Sequence, residues 1–186
     1  MKKRLFFAFP ITYGLYPKIS QLEKEISKKL KINWLPIENL HLTLLFLGWL
    51  DVNDIVRIIE IFEKSVKENQ DIFSTLKIKI TKVDYGPPGK NRMIWLYLEK
   101  NAQLIEMKKI LENNLSQNQI VYQKEERELL PHINLARLKY SYNLPEIKKE
   151  LHWGIILNKL NLFESQLEKP FARYEVLSSV RLFSNT

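Results

Sequence analysis

Two tetrapeptides, His41-Leu42-Thr43-Leu44 and His132-Ile133-Asn134-Leu135, decide how this sequence is read. Successive side chains of a strand alternate between faces, so His41 and Thr43 share one face while Leu42 and Leu44 take the other. His132 and Asn134 share a face in the same way, opposite Ile133 and Leu135. Each strand therefore buries an aliphatic pair and presents an imidazole beside a hydrogen-bonding group. The two histidines lie 91 residues apart in a chain of 186, close to half its length. An internal duplication is the simplest account of that spacing.

Outward from these strands, the first runs over 40–47 and is stopped by Gly48. Asp51 then reads as the N-cap of a helix to about residue 67, with Val52, Ile55, Ile59 and Phe62 on its apolar face. Residues 76–83 alternate apolar side chains with lysine or threonine, as a half-buried strand does, and after a turn over 85–91 the chain returns as a strand over 93–98. A strand over 3–10, a helix over 20–30 and a helix over 102–115 complete the first part. The second histidine strand spans 130–138. Pro145 can start a short helix over 145–150, and strands over about 155–163 and 174–183 follow. After each histidine the order is thus strand, helix, strand, turn, strand. It implies an α+β fold: one bilobal domain over 1–186 with pseudo-twofold internal duplication. Two mostly antiparallel sheets, backed by helices, would flank a central groove.

Composition narrows the chemistry. The chain has 29 Lys+Arg, 21 Asp+Glu, 3 His and no Cys, giving a formal charge of +8. Without cysteine there is no disulfide framework, zinc ribbon, iron–sulfur cluster or thiolate nucleophile. Hydrophobic content of 45% and charged content of 27% describe an ordinary globular chain rather than a disordered one. The surplus charge points to an anionic partner, nucleic acid first. Residues 1–93 carry 16 Lys+Arg against 10 Asp+Glu, and residues 94–186 carry 13 against 11, so the polyanion face is expected in the first half. Lys2, Lys3 and Arg4 before an apolar run imitate a signal peptide, but the run stops at Pro10, so it reads as a strand. The expected location is cytoplasmic.

Facing histidines suit an in-line displacement at phosphorus, which needs a base for the incoming hydroxyl and an acid for the departing one. Imidazole, with an ordinary pKa of about 6.5, serves either role near neutral pH. The Thr43 hydroxyl and the Asn134 amide can donate to the non-bridging oxygens. Arg137, beyond the strand's alternation, can offer a forked contact to phosphate. His152 has no counterpart and falls to a strand edge. Neither motif histidine has a carboxylate or second histidine at metal-ligand spacing.

At these residues the chain resembles the 2H phosphoesterase superfamily, and within it the RNA 2′,3′-cyclic phosphodiesterases, also called 2′-5′ RNA ligases. The resemblance extends through residues 4–9, 34–48 (WLPIENLHLTLLFLG), 131–138 (PHINLARL) and 162–177 (LFESQLEKPFARYEVL). It implies a monomeric enzyme, free of metal and cofactor, that opens a terminal 2′,3′-cyclic phosphate on RNA to a 2′-phosphate. In a second reaction an RNA 5′-hydroxyl replaces water and leaves a 2′-5′ bond. By the resemblance His41 is the proton donor and His132 the acceptor, roles that the symmetry of the pattern leaves exchangeable. Thr43, Asn134 and Arg137 would hold the phosphate, and Arg92, near Trp95, would reach the RNA.

One position departs from the pattern. The family carries Thr or Ser where this chain has Asn134, whose amide is longer and aims its donor differently. That departure keeps open a second reading, an RNA-end-binding module with weakened or lost catalysis. Small cyclic nucleotides or 2′-5′-linked oligonucleotides are a third possibility. Gly86-Pro87-Pro88-Gly89-Lys90 is not a phosphate loop, because its prolines remove the N–H groups a cradle needs. Phe9, Trp34 and Phe46 are candidates for stacking on a base.

Overall fold

The computed structural model describes residues 1–125 and 127–184, and in it the alternation around both histidines is extended backbone. The elements run β1 (Lys2–Pro10), α1 (Tyr16–Ser27), β2 (His41–Asp51), α2 (Ile55–Glu68), β3 (Leu76–Gly86), β4 (Met93–Leu98), α3 (Ala102–Gln117), β5 (His132–Arg137), β6 (Lys149–Leu157), β7 (Lys159–Gln166) and β8 (Arg173–Arg181). The strands form one eight-stranded sheet in the order β6-β3-β4-β5-β2-β1-β7-β8, each neighbour antiparallel.

The expectation of two lobes, each with its own sheet, is therefore corrected. The strands that carry the histidines pair directly, with Leu42 opposite Ile133. An unpaired strand edge presents a row of free N–H and C=O groups, and joining two such edges at the centre satisfies them. The strand order remains symmetric about that seam. Outward from it lie β5, β4, β3, β6 on one side and β2, β1, β7, β8 on the other. Each histidine strand also follows a strand and a helix in the chain, β1-α1-β2 in one half and β4-α3-β5 in the other.

The helices bury apolar stripes: Ile19, Leu22 and Ile26 of α1; Ile58, Ile61, Phe62 and Val66 of α2; Leu104, Met107, Leu111 and Leu115 of α3. These join Leu42, Leu44, Ile133 and Leu135 in one hydrophobic cluster, so the aliphatic faces of both histidine strands belong to the core. Asp51 accepts the Asn53 N–H at 3.0 Å and caps the short 3-10 turn that leads into α2. Asn101 caps α3 through the Leu104 N–H at 3.0 Å.

Two further expectations change. Residues 145–150 are not helical, because so short a segment cannot offset the cost of helix nucleation alone. Lys149 and Glu150 pair instead with Val83 and Lys82 of β3, while Tyr85 Oη donates to the Pro145 carbonyl at 2.7 Å and Ile147 is buried. The single strand expected over 155–163 is divided at Asn158: β6 pairs with β3, and β7 pairs with β1 and β8. The Asn158 carbonyl accepts the Leu182 N–H at 2.9 Å. One residue thus joins strands near opposite ends of the strand order. No helix among the described residues is long and apolar enough to cross a membrane.

Candidate active site

Over their first six residues β2 and β5 share one burial pattern. His41 and His132 are half-buried, Leu42 and Ile133 buried, Thr43 and Asn134 half-buried, the next two residues of each buried, and Phe46 and Arg137 exposed. The doubled buried pair marks a bulge in each strand. Thr43 faces Ala8 and Leu45 faces Phe7; likewise Asn134 faces Trp95 and Ala136 faces Ile94. An inserted residue shifts the alternation by one, which returns Phe46 and Arg137 to the histidine face. Arg137 thereby joins the site despite its odd spacing from His132.

The register at Leu42↔Ile133 sets His41 across the seam from Asn134, and Thr43 across from His132. Four polar side chains thus form a two-by-two grid on one face, with the histidines on its diagonal. Diagonal neighbours in antiparallel strands stand about 7–8 Å apart.

Both imidazoles are held alike. Nδ1 of His41 lies 2.7 Å from the Asn39 carbonyl, and Nδ1 of His132 lies 2.7 Å from the Leu130 carbonyl, each two residues upstream. A carbonyl only accepts, so each Nδ1 carries the proton and each Nε2 is left to act on a ligand. Asn39 is itself tied down, its Nδ2 donating to the Ala172 carbonyl at 2.9 Å. Burial pushes the His41 pKa down to about 4, against the opposing Asn39 bond, and the nearby His132 adds to the depression. Burial also lowers His132, opposed by its bond to Leu130 and by the charge of Glu125.

Aromatic rings set the two environments apart. His41 lies against Phe6 and Tyr174, at centroid distances of 5.0 and 5.1 Å, the tyrosine nearly perpendicular at 89°. Phe6, Ala8 and Phe163 form a small cluster on this face, separate from the main core, with Tyr174 packed on it. Burial raises the Tyr174 pKa, while the positive charges of Arg137 and Arg4 act to lower it. His132 stacks face to face on Trp95, with centroids 3.6 Å apart and planes 18° apart. Under that indole lies Gly86, where an added Cβ would come within 2.2 Å of Trp95 Cδ2.

The other expected residues fall as follows. Asn134 Oδ1 is buried without a hydrogen-bond partner among the described residues. Arg92 is exposed at the end of the β3–β4 hairpin, its carbonyl accepting the Leu138 N–H at 2.9 Å, beside Arg137 in the fold. Phe9 is wholly buried and unavailable for stacking, Trp34 donates to Ser27 Oγ at 2.9 Å, and Phe46 is 37% exposed on the histidine face. His152 is exposed on the edge strand β6, where it lines a cavity of about 290 Å³ with Lys18 and Trp153, away from the motif histidines. No group of three or more metal-ligating side chains occurs among the described residues. Sequence reasoning missed Arg4, Tyr174, Asn39 and Gly86. The alternation of Arg4, Phe6 and Ala8 along β1 signals the first; the others depend on contacts between distant segments.

Known proteins with this arrangement give the comparison. The family model for the AKAP7 2′5′ RNA ligase-like domain matches residues 5–183. An RNA 2′,3′-cyclic phosphodiesterase of Methanocaldococcus jannaschii is 29% identical over 185 residues, covering 94% of this chain and 98% of that protein. One from Thermotoga maritima is 30% identical over 139 residues, covering 74% and 71%. Among solved structures, E. coli LigT with 3′-AMP superposes with a TM-score of 0.75 at 20% identity, covering 98% of this chain and 99% of that one. A Thermus thermophilus protein superposes with a TM-score of 0.80 at 18% identity, covering 98% and 100%. The class is the two-histidine, or 2H, phosphoesterases. Within it, this chain belongs to the LigT-like RNA 2′,3′-cyclic phosphodiesterase family.

Proposed function

We propose that this chain opens a terminal 2′,3′-cyclic phosphate on RNA to a 2′-phosphate, with His41 as proton donor, His132 as proton acceptor and no metal or cofactor taking part. One observation carries the reading. Both imidazoles are fixed in the same tautomer by equal 2.7 Å contacts to the carbonyl two residues upstream, on one face of the sheet. That leaves two Nε2 atoms for two proton movements. Water attacks phosphorus in line with O3′ and gives its proton to His132 Nε2. The P–O3′ bond breaks, and His41 Nε2–H protonates the departing O3′, leaving a 3′-hydroxyl and a 2′-phosphate. With an RNA 5′-hydroxyl in place of water, the same movements make a 2′-5′ bond.

The remaining groups stabilise charge. Thr43 Oγ1, the Asn134 amide and the Arg137 guanidinium donate to the non-bridging oxygens as negative charge grows there. Arg92 contacts a phosphate farther along the strand. The names of the M. jannaschii and T. maritima relatives support this substrate class. The test is hydrolysis, in EDTA, of an RNA ending in a 2′,3′-cyclic phosphate. His41→Ala and His132→Ala are each expected to lose about 10²- to 10⁴-fold in rate. Turnover that survives both substitutions, or that EDTA abolishes, refutes the mechanism.

A second reading rests on Asn134, whose buried Oδ1 has no hydrogen-bond partner among the described residues. An acceptor among groups meant to donate to phosphate weakens transition-state binding, and the chain would then hold RNA ends without turning them over. RNA binding by an inactive parent protein would establish that reading instead.

A further inference from the structure

The loop that follows Arg137 carries an aromatic surface that the reaction does not use. Tyr140 is 64% exposed and Tyr142 is 67% exposed, and their rings pack only on each other among the described contacts, at 5.6 Å between centroids. The loop is tied at both ends. Its first N–H, from Leu138, donates to the Arg92 carbonyl at 2.9 Å, and past the tyrosines Tyr85 Oη holds the Pro145 carbonyl at 2.7 Å and Ile147 is buried. Two large rings on an anchored loop are held in water at a cost in exposed apolar area.

Their surroundings are of one charge. Residues 86–92 and 137–144, the two segments joined by that Leu138 bond, contain Lys90, Arg92, Arg137 and Lys139 and no Asp or Glu. None of the four cations is ion-paired among the described residues. Arg137, at the start of this patch, lies exposed on the histidine face at the end of β5, so the patch is continuous with the site. Stacking rings interleaved with unpaired cations are what a single strand of nucleic acid requires: a π-face for each base and a positive charge for each phosphate.

We propose that Tyr140 and Tyr142 form a stacking platform for the single-stranded RNA leading to the reacting phosphate. The proposal rests on the hydrolytic reading above and adds a binding subsite to it. It separates the polymer substrate from the small cyclic nucleotides that two-histidine chemistry alone admits.

The test compares the parent protein with Tyr140→Ala/Tyr142→Ala and Tyr140→Phe/Tyr142→Phe. Two substrates are used: a short single-stranded RNA ending in a 2′,3′-cyclic phosphate, and a nucleoside 2′,3′-cyclic monophosphate. Fluorescence anisotropy of the same RNA ending in a 2′-phosphate gives binding without turnover. The alanine pair is expected to raise the KM and Kd of the RNA roughly 10- to 100-fold. Its kcat and all constants for the mononucleotide stay at parent values, and the phenylalanine pair, which keeps the π-faces, behaves as the parent. An unchanged RNA KM, or an equal rise for both substrates, overturns the platform. Should the parent hydrolyse neither substrate, the hydrolytic reading fails. Anisotropy then decides the platform separately: a weaker Kd for the alanine pair upholds it, and an equal Kd overturns it.

Discussion

Asn134 stands across the seam from His41 with a buried carbonyl oxygen that has no hydrogen-bond partner among the described residues. Leaving a polar atom in that state costs about 1–3 kcal/mol, and a threonine there removes the orphan while restoring a hydroxyl donor. Asn134→Thr is therefore expected to stabilise the protein by roughly 1 kcal/mol or more in urea melts. It should also raise turnover of the cyclic phosphate, by up to about 10²-fold if an aligned donor is regained. A drop in both quantities would show that the amide is bonded to something the threonine cannot reach. The histidines make a second residue-scale prediction. Burial holds both below the ordinary imidazole range, His41 at about 4. A neutral base is thus ready in the free protein, while the protonated acid becomes scarce as pH rises through the depressed values. In a pH profile, kcat/KM should already be falling on the alkaline side by pH ~6.5. The kcat profile should lie higher, because a bound phosphate anion favours imidazolium. A kcat/KM flat from about pH 5 to 8 would count against histidines as acid and base.

At the scale of the element, what was legible in the sequence was whatever a strand or helix shows by itself. The alternation in residues 41–44 and 132–135 set the polar and aliphatic faces, and the structure keeps both. The bulges after Thr43 and Asn134 were not legible, since a register shift exists only between two strands and neither β1 nor β4 announces it. Arg137 consequently looked displaced by one position from the face it occupies. Residues 145–150 failed for a related reason: too short to nucleate a helix alone, they give up Lys149 and Glu150 to pairing with β3, which local pattern cannot reveal. Gly86 belongs here as well. In the sequence it is part of a turn, whereas in the fold it is the floor beneath Trp95, on which His132 stacks. Gly86→Ala places a methyl 2.2 Å from the indole, so the ring must move. The expected result is a kcat reduced about tenfold or more with an overpacking cost of roughly 1–3 kcal/mol. Trp95 fluorescence should shift with it, and normal kcat beside a shifted fluorescence would show that the stack does not position His132.

On the scale of the whole molecule, the site lies where two halves of one sheet join, so its chemistry and its folding draw on the same residues. The aliphatic partners of the motif, Leu42 and Ile133, are the paired residues of the seam and are buried to 1% and 0% exposure. The polar partners are forced onto the opposite face, where His41 is enclosed by Phe6 and Tyr174 and kept neutral. That enclosure links the site to stability. Above pH ~6.5 His41 is neutral whether the chain is folded or not, and contributes no pH dependence. As pH falls from about 6.5 toward 4, the unfolded chain takes up the proton and the folded chain does not, so stability is lost across that window and the loss is complete below about 4. His132, lowered in the same direction, adds to it. The histidine contribution should be on the order of 2–3 kcal/mol between pH 7 and 4. Urea melts of the parent and of His41→Asn/His132→Asn at both pH values measure it, since carboxylate titration elsewhere is common to the two proteins and cancels. The parent should lose more stability than the variant by that amount, and an equal loss would mean that the imidazoles at the seam are solvated rather than enclosed.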